Sequence, residues 1–237
     1  MFRRVLLVAA VAAVVAGCNE QQQEVELQTE EQKVSYGMGL NLGARIQEEF
    51  ALDVDAFALG MRHAVEGGER RMSDEEIAAA VQSFQEKQMA KLEAEFQQQS
   101  DANKAQSEEY LAANAAKEGV VTTDSGLQYR VIEQGEGAVP TIDDMVQVHY
   151  RGTLVDGTEF DSSYQRGEPV SFPVAGVIPG WTEALQIMPV GSKWELVIPS
   201  DLAYGPGGTG GVIGPNAALV FEVELLDIIR ADGDNVD

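Results

Sequence analysis

The sequence predicts an α+β protein: an all-α N-terminal domain with a long connecting helix, then a C-terminal antiparallel sheet wrapped over a short helix. Three observations carry this. From about Thr29 to Lys117 there is no proline, and Ala, Glu, Gln and Lys abound, all good helix formers. At Gly119 the composition shifts to Val, Ile, Gly and Pro. Beyond it, residues 146–150, 193–198 and 218–226 alternate apolar and polar with period two, as half-buried strands do. A length of 237 residues admits one large domain or two small ones, and 44% hydrophobic residues are enough for a core.

Charge and rare residues exclude several classes of function. The net charge is −23, from 16 Lys and Arg against 39 Asp and Glu. Such a surface repels phosphate backbones and anionic lipid headgroups, which argues against nucleic acid as a partner and against electrostatic adsorption to a membrane. The single cysteine, Cys18, allows no intrachain disulfide and no cysteine zinc cluster. The two histidines, His63 and His149, lack HExxH spacing, so no metal site is expected from them.

The first residues read as an address. Arg3 and Arg4 precede an apolar run, residues 5–16, well short of the roughly 20 residues that span a bilayer. It fits the apolar region of a signal peptide. The run ends in Val15-Ala16-Gly17-Cys18, which resembles the bacterial lipoprotein box. Residues 1–17 would then be removed and Cys18 lipidated, so that the membrane is met by the lipid anchor only. An ordinary signal peptide with an incidental cysteine is the alternative. Residues 18–28, rich in Gln and Glu, read as a flexible tether. Asn19, rather than Asp, follows the cysteine; by resemblance to enterobacterial sorting this favours the outer membrane. The expected location is therefore the cell envelope, lipid-anchored at the outer membrane and facing the periplasm.

Residues 29–118 read as the helical domain with its linker helix. Thr29 opens a first helix, and Glu30 and Glu31 in its first turn suit the macrodipole. Tyr36, Leu40 and Gly43 follow at helical spacing. Residues 53–65 make a second, with Val54, Phe57, Met61 and Val65 on one stripe and Gly67-Gly68 as its stop. Ser73-Asp74-Glu75-Glu76 is a capping box for a third. That helix meets no breaker before about Ala116, which makes it roughly 65 Å long. Its first half carries Ile77, Val81, Phe84, Met89 and Leu92 as an apolar stripe. Its second half, residues 97–109, is almost wholly polar and is expected to cross solvent as a spacer. Three short apolar stripes make a small core that pairing two chains would enlarge, so a homodimer through residues 29–95 is expected. Met38, Met61, Met72 and Met89 add adaptable contact surface. An isolated surface helix or a coiled-coil seam is the plainer alternative.

Residues 119–230 read as the second domain and 231–237 as an acidic tail. Leu219, Phe221, Val223 and Leu225 share one strand face and Glu222 and Glu224 the other, the mark of a sheet with one wet side. Asp156-Gly157 is a turn signal, and Pro179-Gly180 precedes a short amphipathic stretch, residues 181–187, that supplies the small helix. Residues 205–210 match G-x-G-x-x-G, but the Gly-Val-Ile-Gly-Pro that follows cannot easily open a helix. The stretch reads as a loop beside a site, not a nucleotide cradle.

Several segments together resemble one family. Val148-His149-Tyr150-Arg151-Gly152-Thr153-Leu154, Asp156-Gly157-Thr158 and Phe160-Asp161-Ser162-Ser163 are similar to the FK506-binding-protein (FKBP) class of peptidyl-prolyl isomerases. So are Val177-Ile178-Pro179-Gly180-Trp181, Gly191-Ser192-Lys193, Ala203-Tyr204-Gly205 and Leu219-Val220-Phe221-Glu222-Val223-Glu224-Leu225, in the same order. Ser35-Tyr36-Gly37-Met38-Gly39 looks like the N-terminal domain of the Mip and FkpA type, in which a helical domain makes the dimer and a long helix leads to the isomerase. The resemblance implies an FKBP-like sheet and cis-trans isomerisation of X-Pro bonds in unfolded or folding polypeptides. It implies no cofactor, and macrolides as candidate inhibitors.

The chemistry agrees with such residues. Rotation about X-Pro meets a barrier of about 20 kcal/mol, and no bond is broken, so no nucleophile is needed. The twisted transition state loses amide resonance and its carbonyl is less polar, so an apolar pocket favours it over the solvated planar amide. By the resemblance, Tyr150, Phe160, Trp181 and Phe221 line the proline pocket, with Trp181 as its floor. Val177 and Ile178 contact the substrate chain, and the Ile178 N–H bonds a substrate carbonyl. Asp161 and Tyr204 form the polar edge, Arg166 pairs with Asp161, and Val212 and Ile213 close the loop side. Val170 stands where the small prototype carries a pocket phenylalanine, so a wider pocket is expected there. The rival reading is a chaperone or adhesion-type surface protein whose pocket only grips chains; a peptidoglycan-associated structural lipoprotein has no wall-binding motif behind it.

Overall fold

The computed structural model describes residues 26–49 and 51–229. The expected signal peptide, Cys18, most of the tether and the acidic tail lie outside the described residues. The chain divides into two compact units, with the division between Ser73 and Asp74.

The first unit contains α1 (Glu30–Glu49) and α2 (Val54–Glu66). Thr29 and Gln32 cap α1 reciprocally: the Gln32 N–H donates to Thr29 Oγ1 at 3.2 Å and the Thr29 N–H to Gln32 Oε1 at 2.9 Å. Asp53 caps α2 by accepting from the Ala56 N–H at 2.9 Å, and left-handed Gly67 ends it. No described residue from 26 to 73 is buried. Tyr36, Met38, Leu40, Val54, Met61 and Val65 stay exposed, so these helices display their apolar stripes instead of burying them.

The second unit begins with α3 (Asp74–Ala115), 42 residues and about 63 Å long. Its apolar stripe, from Ile77 through Val81, Phe84, Met89 and Leu92, is also exposed. The polar half departs from expectation. Residues 97–109 do not cross solvent as a spacer: Ser100 and Ser107 are buried, as is Asn114 one further heptad on. Steps of seven keep these small polar groups on one helix face, and that face docks on the sheet-bearing part of the unit. Asn114 Nδ2 donates to Gln128 Oε1 at 2.9 Å, and Gln128 Nε2 donates back to the Leu111 carbonyl at 2.9 Å. A hydrophobicity pattern is blind to docking of this kind, because the contacts are hydrogen bonds.

The sheet consists of β1 (Val120–Thr122), β2 (Gln128–Glu133), β3 (Met145–Leu154), β4 (Glu159–Ser162), β5 (Val170–Pro173), β6 (Lys193–Ile198) and β7 (Leu219–Ile229). All pairings are antiparallel, in the order β1-β2-β6-β7-β3-β4. β5 shares the outer edge of β3 with β4: it pairs with Met145–Val148, whereas β4 pairs with Arg151–Thr153. Between them runs a single turn, α4 (Ser163–Arg166). Alternation puts Val146, Val148 and Tyr150 of β3, Trp194, Leu196 and Ile198 of β6, and Leu219, Phe221, Val223 and Leu225 of β7 into one core. Over that face lies α5 (Pro179–Leu185), contributing Trp181, Ala184 and Leu185. Glu222 and Glu224 point to the other side, where Glu222 pairs with Lys193 at 2.9 Å.

Candidate active site

Strands β3, β4 and β7 and helix α5 bring four aromatic side chains together. Trp181 is buried, and Tyr150 and Phe221 meet it almost at right angles, with ring centroids 5.3 and 5.2 Å away. Phe160, half-buried, continues the wall, 5.5 Å from Phe221 and again edge-to-face. These are the favoured aromatic geometries, and they hold the rings as a rigid apolar bowl. The bowl depends on Gly152 of β3. A Cβ there would lie 2.7 Å from two atoms of the Phe160 ring and 2.7 Å from Phe221, so only glycine lets both rings close over the strand.

A charged edge adjoins the rings. Arg166 Nη1 donates to Asp161 Oδ1 at 2.5 Å. Arg166 Nη2 donates to the Tyr150 hydroxyl at 2.7 Å, and that hydroxyl donates to Asp161 Oδ2. The guanidinium also lies over the Tyr150 ring, 5.5 Å from its centroid. Partial burial works against the Asp161 charge, but the Tyr150 hydroxyl and Arg166 outweigh it and hold the carboxyl below the usual aspartate range. Burial, and next the bond to Asp161, push the Tyr150 phenol up. Asp161 is thus an ionised acceptor with both oxygens occupied, and nothing in this arrangement pairs a nucleophile with a base.

The other expected residues separate into two groups. Val170, Val177 and Ile178 are half-buried against the core, and Ile213 is buried in it. Ile178 is the N-cap of α5, and among the described residues nothing accepts from its N–H. Tyr204 and Val212 are exposed on the long loop before β7, outside the packed cluster.

Three contributors escape the sequence reading. Phe172 is edge-on to Trp181 at 6.0 Å and tilted against Tyr150 at 5.9 Å, so a ring backs the bowl two residues beyond Val170. The alternation of Val170 and Phe172 on one face of β5 was the available signal. Ser163 is fully buried where the edge of β3 passes from β4 to β5. Its hydroxyl accepts from the Tyr150 N–H at 2.8 Å and donates to the Tyr150 carbonyl at 3.2 Å, in place of the missing ladder partner. Gly152 is the third, visible only as part of a motif.

Comparison with known proteins agrees with this fold. Residues 137–226 match the family model of the FKBP-type peptidyl-prolyl cis-trans isomerase, and residues 31–131 match the domain amino-terminal to it. The chain is 50% identical over 203 residues to the FKBP-type 22 kDa peptidyl-prolyl cis-trans isomerase of Escherichia coli, covering 85% of this chain and 97% of that protein. It is 44% identical over 206 residues to the outer membrane protein MIP of Legionella longbeachae, covering 86% and 88%. The crystal structure of FkpA from Escherichia coli superimposes with a TM-score of 0.72 at 41% identity, over 86% of this chain and 98% of that one. Both domains, in the same order and over most of each chain, thus have counterparts among these enzymes, and the chain belongs to the FKBP-type peptidyl-prolyl cis-trans isomerases.

Proposed function

We propose that this isomerase acts on X-Pro bonds of unfolded or folding polypeptides of the cell envelope, and that it does so in the bowl of Tyr150, Phe160, Trp181 and Phe221. The observation that carries the reading is the bowl itself: four interlocked rings with one ionised carboxylate at the rim, each of its oxygens hydrogen-bonded. Proline stacks on Trp181. The apolar walls strip water from the amide, which costs the planar, polar ground state more than the twisted transition state. The Ile178 N–H and the Tyr204 hydroxyl orient the chain through its carbonyls, and Asp161 is held by Arg166 so that its charge faces the rim. Rotation needs no covalent intermediate.

The same reading makes the enzyme a lipid-anchored homodimer. The exposed apolar stripes of α1, α2 and the first half of α3 support pairing through residues 29–95. Two sites on one dimer would hold one client with avidity. A relative named an outer membrane protein supports an envelope location, and Cys18 is the proposed lipidation site. A second reading, in which the exposed stripes take client chains and the pocket only grips them, predicts different variants. Client refolding separates the two. Asp161→Leu should abolish acceleration of a proline-limited refolding step, whereas removal of residues 26–73 should abolish it only if the helices do the work. Metabolic labelling with palmitate, lost in Cys18→Ser, tests the anchor.

A further inference from the structure

Three residues of the proposed site, Tyr204, Val212 and Ile213, belong to a long connection before β7 that contains no strand. Within it, few groups hold each other. The Asn216 N–H closes the neck of the loop by donating to the Gly205 carbonyl at 3.0 Å, and the Thr209 N–H donates to the Ile213 carbonyl at 2.9 Å. Only Ile213 and Pro215 are buried between Gly205 and Asn216.

Ile213 anchors the loop in the core, and further ties come from α3. Asn103 Nδ2 donates to the Pro215 carbonyl at 2.8 Å. The Ser107 hydroxyl donates to the Asn216 carbonyl at 3.1 Å and accepts from the Ala218 N–H at 2.8 Å, which uses its one proton and a lone pair. Asn216 Nδ2 donates to Ser100 Oγ at 2.7 Å. Two further features show that the loop is fitted to this helix face. Asn216 is the one non-glycine residue at positive φ (54°) among those described, a conformation that costs about 1 kcal/mol or more. Gly214 comes so close that a Cβ would lie 2.7 Å from Asn103 Nδ2 and 3.0 Å from Gln99 Nε2.

We propose that Ser100, Asn103 and Ser107 of α3, together with Asn216, are positioning residues for prolyl isomerisation. They hold the loop against the helix and thereby fix where Tyr204, Val212 and Ile213 meet the substrate chain beside the proline. None of the four touches substrate. This rests on the site assignment above. Because the aromatic bowl is built on β3, β4, β7 and α5, loosening the loop leaves the bowl intact. Binding must then order the loop first, so the loss falls on KM and kcat changes little. A merely structural role would act the other way, lowering the active fraction at unchanged KM.

The test uses the full chain with Ser107→Ala, Ser107→Thr, Asn216→Gly, Trp181→Leu and, on an exposed position of the same helix, Gln98→Ala. Isomerisation of X-Pro peptides is followed over a range of substrate concentration, and amide exchange of residues 205–217 is followed by mass spectrometry. Ser107→Ala should raise KM about three- to tenfold, the loss of roughly 1 kcal/mol in hydrogen bonding, and should speed exchange in the loop while the sheet stays protected. Ser107→Thr keeps the hydroxyl at a residue that borders a cavity of about 200 Å³, so KM should return. Asn216→Gly keeps the backbone bonds and suits the positive φ, so it carries the same test even if Ser107→Ala folds poorly. Gln98→Ala should match wild type. Unchanged loop exchange in both Ser107→Ala and Asn216→Gly overturns the tie. Faster exchange at wild-type KM overturns the positioning role. A rate indifferent to Trp181→Leu overturns the site assignment itself, which the exchange data distinguish from either.

Discussion

Gly152→Ala puts the geometry of the bowl under direct strain. The new Cβ would stand 2.7 Å from Phe160 Cε2 and Cζ and 2.7 Å from Phe221 Cε1, against the roughly 3.5–4.0 Å of an ordinary carbon contact. Something must yield by about 1 Å. Phe221 is only 5% exposed and pinned against Trp181, whereas Phe160 is half-buried on β4, whose far side bears no strand. The displacement therefore falls on Phe160, and the wall of the proposed pocket opens. Overpacking of this kind costs about 1–3 kcal/mol. A displacement of about 1 Å at a site costs up to about a hundredfold, so kcat/KM should fall about ten- to a hundredfold. Urea unfolding and a protease-free isomerisation assay read the two effects. The double variant Gly152→Ala with Phe160→Leu removes the clashing ring atoms, so it should regain about 1–2 kcal/mol of stability relative to the sum of the single changes, without regaining activity. A Gly152→Ala protein of wild-type stability and rate would refute the reasoning. So would a loss that Phe160→Leu does not relieve.

Other outcomes follow from the charged edge and the exposed helices. The folded-state pKa of Asp161 is depressed, so its contribution to stability is present above the unfolded pKa of about 3.9 and is lost as pH falls through the lower folded value. The rim should thus survive at pH 5, and acid unfolding curves should begin at higher pH in Arg166→Ala than in wild type. Tyr150→Phe keeps the ring contacts but removes the hydroxyl between Arg166 and Asp161; a carbon-13 titration should find the Asp161 carboxyl midpoint moved up. Ser163→Ala leaves the buried N–H and carbonyl of Tyr150 without partners, and should cost about 1–3 kcal/mol in urea unfolding. Val81→Asp on the exposed stripe of α3 should convert the proposed dimer to monomer in analytical ultracentrifugation while the peptide rate per site stays at wild type.

Legibility in the sequence followed the kind of force involved. β3, β6 and β7 announce themselves because each buries one face completely, which enforces period two. β4 and β5 carry only four residues each on a shared edge, and β5 ends in Pro173, so an alternation as short as that of Val170 and Phe172 is too brief to mark a strand unaided. The helix ends were readable because caps are local chemistry, as at Asp53 and Gly67. Trp181, Tyr150 and Asp161 were named through family motifs, not through any spacing that physics alone would single out. The Asp161–Arg166 pair needed the α4 turn to bring it together. The clearest misreading, residues 97–109 as a solvent spacer, arose because Ser100 and Ser107 are polar and yet buried. Their spacing of seven was present in the sequence, but only the hydrogen-bonding groups of the loop give it meaning.

Two tryptophans offer the most direct test of the central claim, that the bowl around Trp181 is where proline is turned. Trp181 and Trp194 are buried to almost the same degree, 4% and 3% exposed, but Trp194 stacks on Tyr129, 4.6 Å away on the other strands. Trp181→Leu and Trp194→Leu should therefore lose comparable stability. In a protease-free isomerisation assay on an X-Pro peptide, only Trp181→Leu should lose the rate enhancement, by a hundredfold or more in order of magnitude. Equal residual activity in the two folded variants would contradict the account.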